Sequence, residues 1–160
     1  MADRFPPVRL ISVAPEPFDA PDSLALRREL GADLMERYAA DAEPGFKPSA
    51  WDVAVFLVAR DDTGEPVGCG ALRGLGAGVA EVKRMYVRPH ARGSGVARRL
   101  LAALEDQARS RGFRVIRLET GIRQPEAMAL YAGAGYTEIE GFGDYAGHPA
   151  SRCFERELKP

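Results

Sequence analysis

Glu81-Val-Lys-Arg-Met-Tyr-Val87 is followed by Arg88-Pro-His-Ala-Arg-Gly-Ser-Gly-Val-Ala-Arg-Arg-Leu-Leu101. An apolar strand passes through a short turn into an amphipathic helix that two glycines open. The first amides of a helix have no partner within it, and the helix dipole is positive at that end. A phosphate or pyrophosphate suits such a place. Gly93 and Gly95 carry no side chains, so a ligand can come close to the main chain. Arg92, Arg98 and Arg99 add positive charge beside them.

Three ligand-binding patterns compete for this turn. A P-loop requires Lys-Ser/Thr after its last glycine, where Val96-Ala97 stands. A dinucleotide-binding turn requires a third small residue where Arg98 stands, and it belongs in the first βα unit, whereas this turn lies past mid-chain. A coenzyme A pyrophosphate loop follows the pattern Arg/Gln-x-x-Gly-x-Gly/Ala. Arg92-Gly93-Ser94-Gly95-Val96-Ala97 meets it at every specified position. A glycine turn without a ligand is the plain structural alternative.

The flanks narrow the choice. Glu81 to Leu101 resembles motif A of the GNAT superfamily of acyl-CoA N-acyltransferases. Gln124-Pro-Glu-Ala-Met-Ala-Leu-Tyr131, with Gly135-Tyr136 after it, resembles motif B of the same family, in the family's order and at a fitting separation.

Working outward, the sequence predicts a strand over Val8–Val13, from its alternation of apolar and polar residues. Pro15, Pro17 and Pro21 are then expected to forbid regular structure. Asp22 or Ser23 is the expected cap of a helix reaching about Ala40, with Leu26, Leu30, Leu34 and Tyr38 as its stripe. Asp41 to Pro48 reads as a loop and Trp51 to Ala59 as a strand. Asp61-Asp-Thr-Gly64 reads as a hairpin turn, and Pro66 to Arg73 as the returning strand. Gly74 to Gly78 is a second expected turn, and Ala80 to Val87 a fourth strand. The helix from Ser94 to about Arg111 places Val96, Leu100, Leu101, Leu104 and Ala108 on one face, and Gly112 ends it. A strand over Phe113–Thr120, a helix from Pro125 to about Gly135, and strands over Tyr136–Glu140 and Ser151–Leu158 complete the chain. Gly141 to Pro149 reads as a flexible loop. Hairpin links early and a helical crossover later imply a mixed, mostly antiparallel sheet of six to seven strands flanked by helices. That α+β order is the one the GNAT resemblance implies, in a single domain spanning residues 1–160.

Composition sets the outer bounds. The chain has 160 residues, 46% hydrophobic and 28% charged, with a formal net charge of −1. These values suit one ordinary globular domain and give no global field for nucleic acid or anionic membrane. Two cysteines, Cys69 and Cys153, and two histidines, His90 and His148, make neither a disulfide framework nor a structural metal site. No apolar run approaches the ~20 residues that span a bilayer, and the first residues lack the apolar stretch of a signal peptide. A cytoplasmic protein without metal is the expectation.

The resemblance also implies roles. The donor would be acetyl-CoA, its pyrophosphate on residues Arg92, Gly93, Ser94, Gly95, Val96 and Ala97. Its pantetheine arm would pair with the backbone of Met85, Tyr86 and Val87 as an added strand, while the side chains of Met85 and Val87 pack as core. An amide near Met85 would polarise the thioester carbonyl. Tyr131 would protonate the departing thiolate, against the alternative of a packed core tyrosine. Glu81 would be the base, directly or through water, against the alternative of a strand-end salt bridge. Glu119 and Asp144 are substitutes for it or contacts for a cationic acceptor, and His148 reads as a solvated loop histidine. Many relatives carry asparagine where Gln124 stands, so its contact with the coenzyme arm is expected with shifted geometry. Neither cysteine lies in a motif suited to holding the acyl group, which favours direct attack over a ping-pong route. The acceptor would be a primary amine of a small molecule or peptide, between Leu26–Pro48 and Gly141–Pro149, where Glu36, Asp41, Glu43 and Asp144 suggest a cation. A homodimer is frequent in the family. The alternatives are a non-catalytic acyl-CoA sensor on the same fold and a nucleotide-binding protein.

Overall fold

The computed structural model describes residues 10–38 and 52–160. Seven strands form one sheet in the order β1-β2-β3-β4-β5-β7-β6. They are β1 (Ser12–Pro15), β2 (Val55–Arg60), β3 (Pro66–Gly76), β4 (Val79–Val87), β5 (Val115–Gly121), β6 (Thr137–Ile139) and β7 (Ser151–Glu157), with helices α1 (Pro21–Arg37), α2 (Val96–Ser110) and α3 (Pro125–Gly133) between them. Every neighbouring pair is antiparallel except β4 and β5, which are joined through α2 and run parallel. The expected mixed α+β architecture is the observed one.

The prolines near the start do more than interrupt. β1 begins at Ser12, where Arg60 of β2 lies opposite it, and Pro15 closes the ladder at the sheet edge. Pro21 starts α1 with Ala20 as its cap, so neither Asp22 nor Ser23 caps the helix. Helix α1 ends at Arg37. The expected loop over residues 41–48, with Asp41 and Glu43, lies outside the described residues, as do Val8 and Trp51.

The second hairpin differs more. Gly74 and Gly76 belong to β3, and the turn is only Ala77 and Gly78. Both have positive φ, 54° and 78°, as the two-residue turn matching strand twist requires. A cluster of glycines reads as loop by composition, yet the register to β4 runs on to Gly76 opposite Val79.

Two apolar clusters sandwich the sheet. On one face α2 buries Val96, Leu100, Leu101, Leu104 and Ala108 against Leu57, Val67, Leu72, Ala80, Val82, Ile116 and Leu118. This is the stripe predicted from sequence. On the other face α1 buries Leu26 and Leu30 against Phe56, Val58, Cys69, Ala71 and Tyr86. Charged groups tie α1 and β1 to the sheet. Arg60 donates to both carboxylate oxygens of Glu16, at 3.0 and 2.6 Å, and to Asp22 at 2.8 Å. Arg88 pairs with Glu29 at 2.8 Å.

Half-buried, multiply bonded guanidiniums contribute more than exposed pairs. Arg60→Gln is therefore expected to lower stability by about 1–2 kcal/mol. The reading is a lower urea midpoint with unchanged slope. An unmoved midpoint would mean that the β1–β2 ladder alone holds this edge.

Candidate functional site

The parallel ladder between β4 and β5 is short. Val79–Val82 pair with residues 115–118, and beyond Val82 and Leu118 no further pair forms. β4 nevertheless continues to Val87, paired on its other side with β3. The break in register there falls between Cys69 and Ala71 of β3, and Arg84 of β4 takes φ 58°. A bulge of this kind turns the strand and re-aims its side chains, and a non-glycine residue at positive φ marks local strain. Two edges therefore part, and the side of residues 83–87 facing β5 pairs with no strand among the described residues. Met85 and Val87 are partly buried against the α2-side cluster, so their side chains do pack as core.

At the end of β4 a short 3-10 turn, Pro89–Ala91, leads into the glycine loop. The sequence reading expected a short turn here but not its 3-10 form, for which Pro89 at its start is the local signal. Gly93 and Gly95 have φ 77° and 85°, and a Cβ on either would meet nothing within 4 Å. Gly95 is the cap of α2. The amides of residues 93–98 reach no backbone carbonyl of the described residues outside the helix, and the first helical amides have none inside it. The Ser94 hydroxyl turns inward and donates to the Ala91 carbonyl at 2.5 Å. Arg92 donates from Nε to the Val87 carbonyl at 2.9 Å and lies 5.8 Å from the Tyr86 ring centre. The arginine is thereby pinned where strand passes into loop.

Tyr131 on α3 is buried, with Tyr136 and Phe154 rings 6.0 and 6.2 Å away. Burial pushes its phenol well above the usual range, and the Glu119 carboxylate pushes it further. Glu119 projects from β5 toward the face away from α2, since Ile116 and Leu118 take the α2 side. Gln124 precedes α3, and its amide nitrogen lies 3.4 Å from the Tyr38 hydroxyl, which also accepts the Arg123 amide at 3.1 Å. Gly121 makes this docking feasible, because a Cβ there would sit 1.8 Å from that hydroxyl.

Glu81 is not an exposed strand-end carboxylate. It is fully buried in mid-sheet, and its Oε1 accepts from Arg73 Nε at 2.7 Å. Its Oε2 is buried with no hydrogen-bond partner. Register places it in a row across four strands: Arg73 opposite Glu81, Glu81 opposite Arg117, Arg117 opposite Glu155. Arg117 donates from Nε to Glu155 at 2.7 Å. Over this row lies a cavity of about 230 Å³ lined by Arg73, Arg117, Leu75, Phe142, Asp144 and Tyr145. The β6–β7 loop that roofs it is packed rather than loose. It holds a 3-10 turn, Gly143–Tyr145, whose Tyr145 is buried and accepts a 2.5 Å hydrogen bond from Lys83 Nζ. Asp144 is exposed at the rim; Glu36 on α1 is exposed and does not line the cavity. His148 bonds only locally, Nδ1 accepting the Ala150 amide at 3.3 Å.

Both cysteines are buried. Burial pushes the Cys69 thiol up to about 12 and raises Cys153 as well. Thiols so disposed are poor nucleophiles. Among the described residues no group of three or more His, Cys, Asp or Glu is placed to hold a metal ion, and no helix is long and apolar enough to cross a membrane.

Comparison with known proteins agrees with this architecture. A model of the Acetyltransferase (GNAT) family matches residues 24–136. An IAA acetyltransferase from Azospirillum brasilense is 39% identical over 132 residues, covering 78% of this chain and 86% of that protein. A solved structure from Klebsiella pneumoniae subsp. pneumoniae, assigned in its description to the acyl-CoA N-acyltransferases, is 34% identical. It superposes with TM-score 0.81 over 94% of this chain and 99% of its own. The N-acetylglutamate synthase of Neisseria gonorrhoeae, solved with coenzyme A and N-acetyl-glutamate, shares the fold at TM-score 0.70 and 22% identity, over 94% of this chain and 36% of that one. The match over most of the chain, joined to the parted parallel strands and the glycine-capped helix, makes this chain an acyltransferase that belongs to the GNAT acetyltransferase family.

Proposed function

We propose that the chain transfers an acetyl group from acetyl-CoA to a primary amine by direct attack in a ternary complex. The observation that carries this reading is the parting of β4 and β5 after Val82 and Leu118, with the glycine loop following β4; Tyr131, in the apolar cluster on the α2 face, is the acid we assign to it. The residues present fit the donor. Open space before Gly93 and Gly95 admits a diphosphate to the amides of residues 93–97, and the amides of a pantetheine arm can pair with the unpaired edge at Met85–Val87.

The chemistry follows from what these groups hold. The backbone amide at Met85 donates to the thioester oxygen as it gains charge. The amine nitrogen bonds to the carbonyl carbon, the carbon–sulfur bond breaks, and one proton must leave nitrogen while the thiolate must be neutralised. Tyr131 stays protonated at neutral pH, because its pKa is raised. It therefore serves as a hydrogen-bond donor to sulfur and completes the transfer only as charge develops there. Glu81 is sealed and ion-paired, so it takes the amine proton through a water at its orphan Oε2 rather than by contact. Gln124 gives one N–H to Tyr38, leaving its second N–H and its amide oxygen for the arm. The buried cysteines argue against a covalent acyl-enzyme.

Thiol release from acetyl-CoA with a panel of amines, alongside calorimetric titration of acetyl-CoA, ATP and NAD, tests the proposal. Amine-dependent thiol release with micromolar acetyl-CoA binding is expected. Tight acetyl-CoA binding without turnover on any amine would make the chain a sensor, and preference for ATP or NAD would overturn the donor.

A further inference from the structure

The acidic residues of the two acceptor segments suggest a cationic substrate, but the cavity floor is built from guanidinium groups. Resting on the acetyl-transfer reading, we propose that the cavity over the Arg73–Glu81–Arg117 row is the acceptor site and takes the carboxylate of a free amino acid with an apolar or aromatic side chain.

Arg117 is the central group. Its side chain is 35% exposed. It spends Nε on Glu155, and its two terminal nitrogens have no partner among the described residues. A guanidinium fork with both terminal nitrogens available is the donor set that matches a carboxylate in two parallel bonds. Arg73 lines the same cavity from β3, so a second positive charge faces the same space. Asp144 is the single acid in the lining, and it stands exposed at the rim.

The walls fit the remainder of such a ligand. Phe142 lies 5.7 Å from the Arg117 guanidinium and packs edge to face with Tyr145 at 5.3 Å, while Leu75 presents an exposed apolar side chain. The cavity, about 230 Å³, is on the scale of one amino acid.

The position suits attack. Arg117 is one residue before Leu118, the last paired residue before β5 leaves β4, so the proposed anchor lies beside the start of the opening.

Two matched ligands separate the carboxylate from everything else: 3-phenylpropionate and 3-phenylpropanamide. Calorimetric titration of the full chain is expected to show the acid binding at least tenfold more tightly. Arg117→Gln should erase that preference. Glu155→Gln, which removes the same ion pair but keeps the guanidinium, should retain it. Equal binding of acid and amide, binding of neither, or loss of the preference in Glu155→Gln as well would overturn the assignment. Thiol release with phenylalanine and phenethylamine gives the second reading. Acid-selective binding with no amine acetylated would sink the transferase reading while the carboxylate site stands. Acetylation of both amines alike, with no acid selectivity, would sink the carboxylate site while transfer stands.

Discussion

Gly95→Glu is expected to weaken acetyl-CoA binding by about 10²–10⁴-fold. The estimate corresponds to losing two charge-assisted hydrogen bonds at ~1.5–3 kcal/mol each. Gly95 caps α2 at φ 85°, and the space a Cβ would enter is empty. A glutamate there projects a carboxylate into the volume where the diphosphate is proposed to sit, in front of amides that favour negative charge. The side chain both fills the site and satisfies its donors from within. Backbone strain adds about 1–2 kcal/mol of instability at this φ, and Gly95→Ala separates that effect. The alanine variant bears the same strain without the carboxylate, so it should lose stability comparably while keeping most of its affinity. Calorimetric titration of both variants with acetyl-CoA, beside thermal melts, checks the pair. Undiminished affinity in Gly95→Glu would mean that the diphosphate lies elsewhere.

What the sequence disclosed and what it withheld divide along a physical line. Helix α2 was legible because its stripe repeats every 3.6 residues behind two glycines; the buried apolar set is the predicted one, and buried Glu105 is the residue the stripe did not foresee. The crossover from β4 through α2 to β5 was legible for the same reason. Register was not. Nothing in Glu81-Val-Lys-Arg tells a reader that Glu81 sits opposite both Arg73 and Arg117, because cross-strand partners come from chain segments far apart. A glutamate read as a base, or else as a strand-end salt bridge at the surface, proves to be a fully buried carboxylate between two arginines. The surroundings of Asp144 were hidden likewise: along the chain it counts with Glu36 as an acid, whereas in the fold it stands at the rim of a cavity that Arg73 of β3 and Arg117 of β5 line under the β6–β7 loop. Turn chemistry was a third gap. Gly74 and Gly76 carry the composition of a turn but serve as strand, since only Ala77 and Gly78 are needed to reverse the chain.

Tyr131→Phe is expected to lower turnover about 10²-fold or more, the range for losing a positioned acid, with acetyl-CoA affinity nearly unchanged. The substitution is unusually clean. Among the described residues the Tyr131 hydroxyl has no hydrogen-bond partner, and its ring lies in the α2-side cluster with Tyr136 and Phe154. Removing the oxygen therefore orphans no buried group, and the melting temperature should hold or rise slightly. A core tyrosine without a chemical role would show the same stability and the same turnover as phenylalanine, so the rate alone separates the two roles. The pH profile gives an independent reading. Burial first, and then Glu119, hold the Tyr131 proton more tightly than an ordinary phenol does. The acid form thus persists as pH rises, and no alkaline loss of turnover attributable to this group should occur below about pH 10, the ordinary phenol value. Removing the Glu119 charge with Glu119→Gln lifts part of the upward push, so ionisation of Tyr131 should move to lower pH, seen as an earlier phenolate absorbance in a spectroscopic titration. Unchanged turnover in Tyr131→Phe would return this tyrosine to the core and require another donor for the departing sulfur.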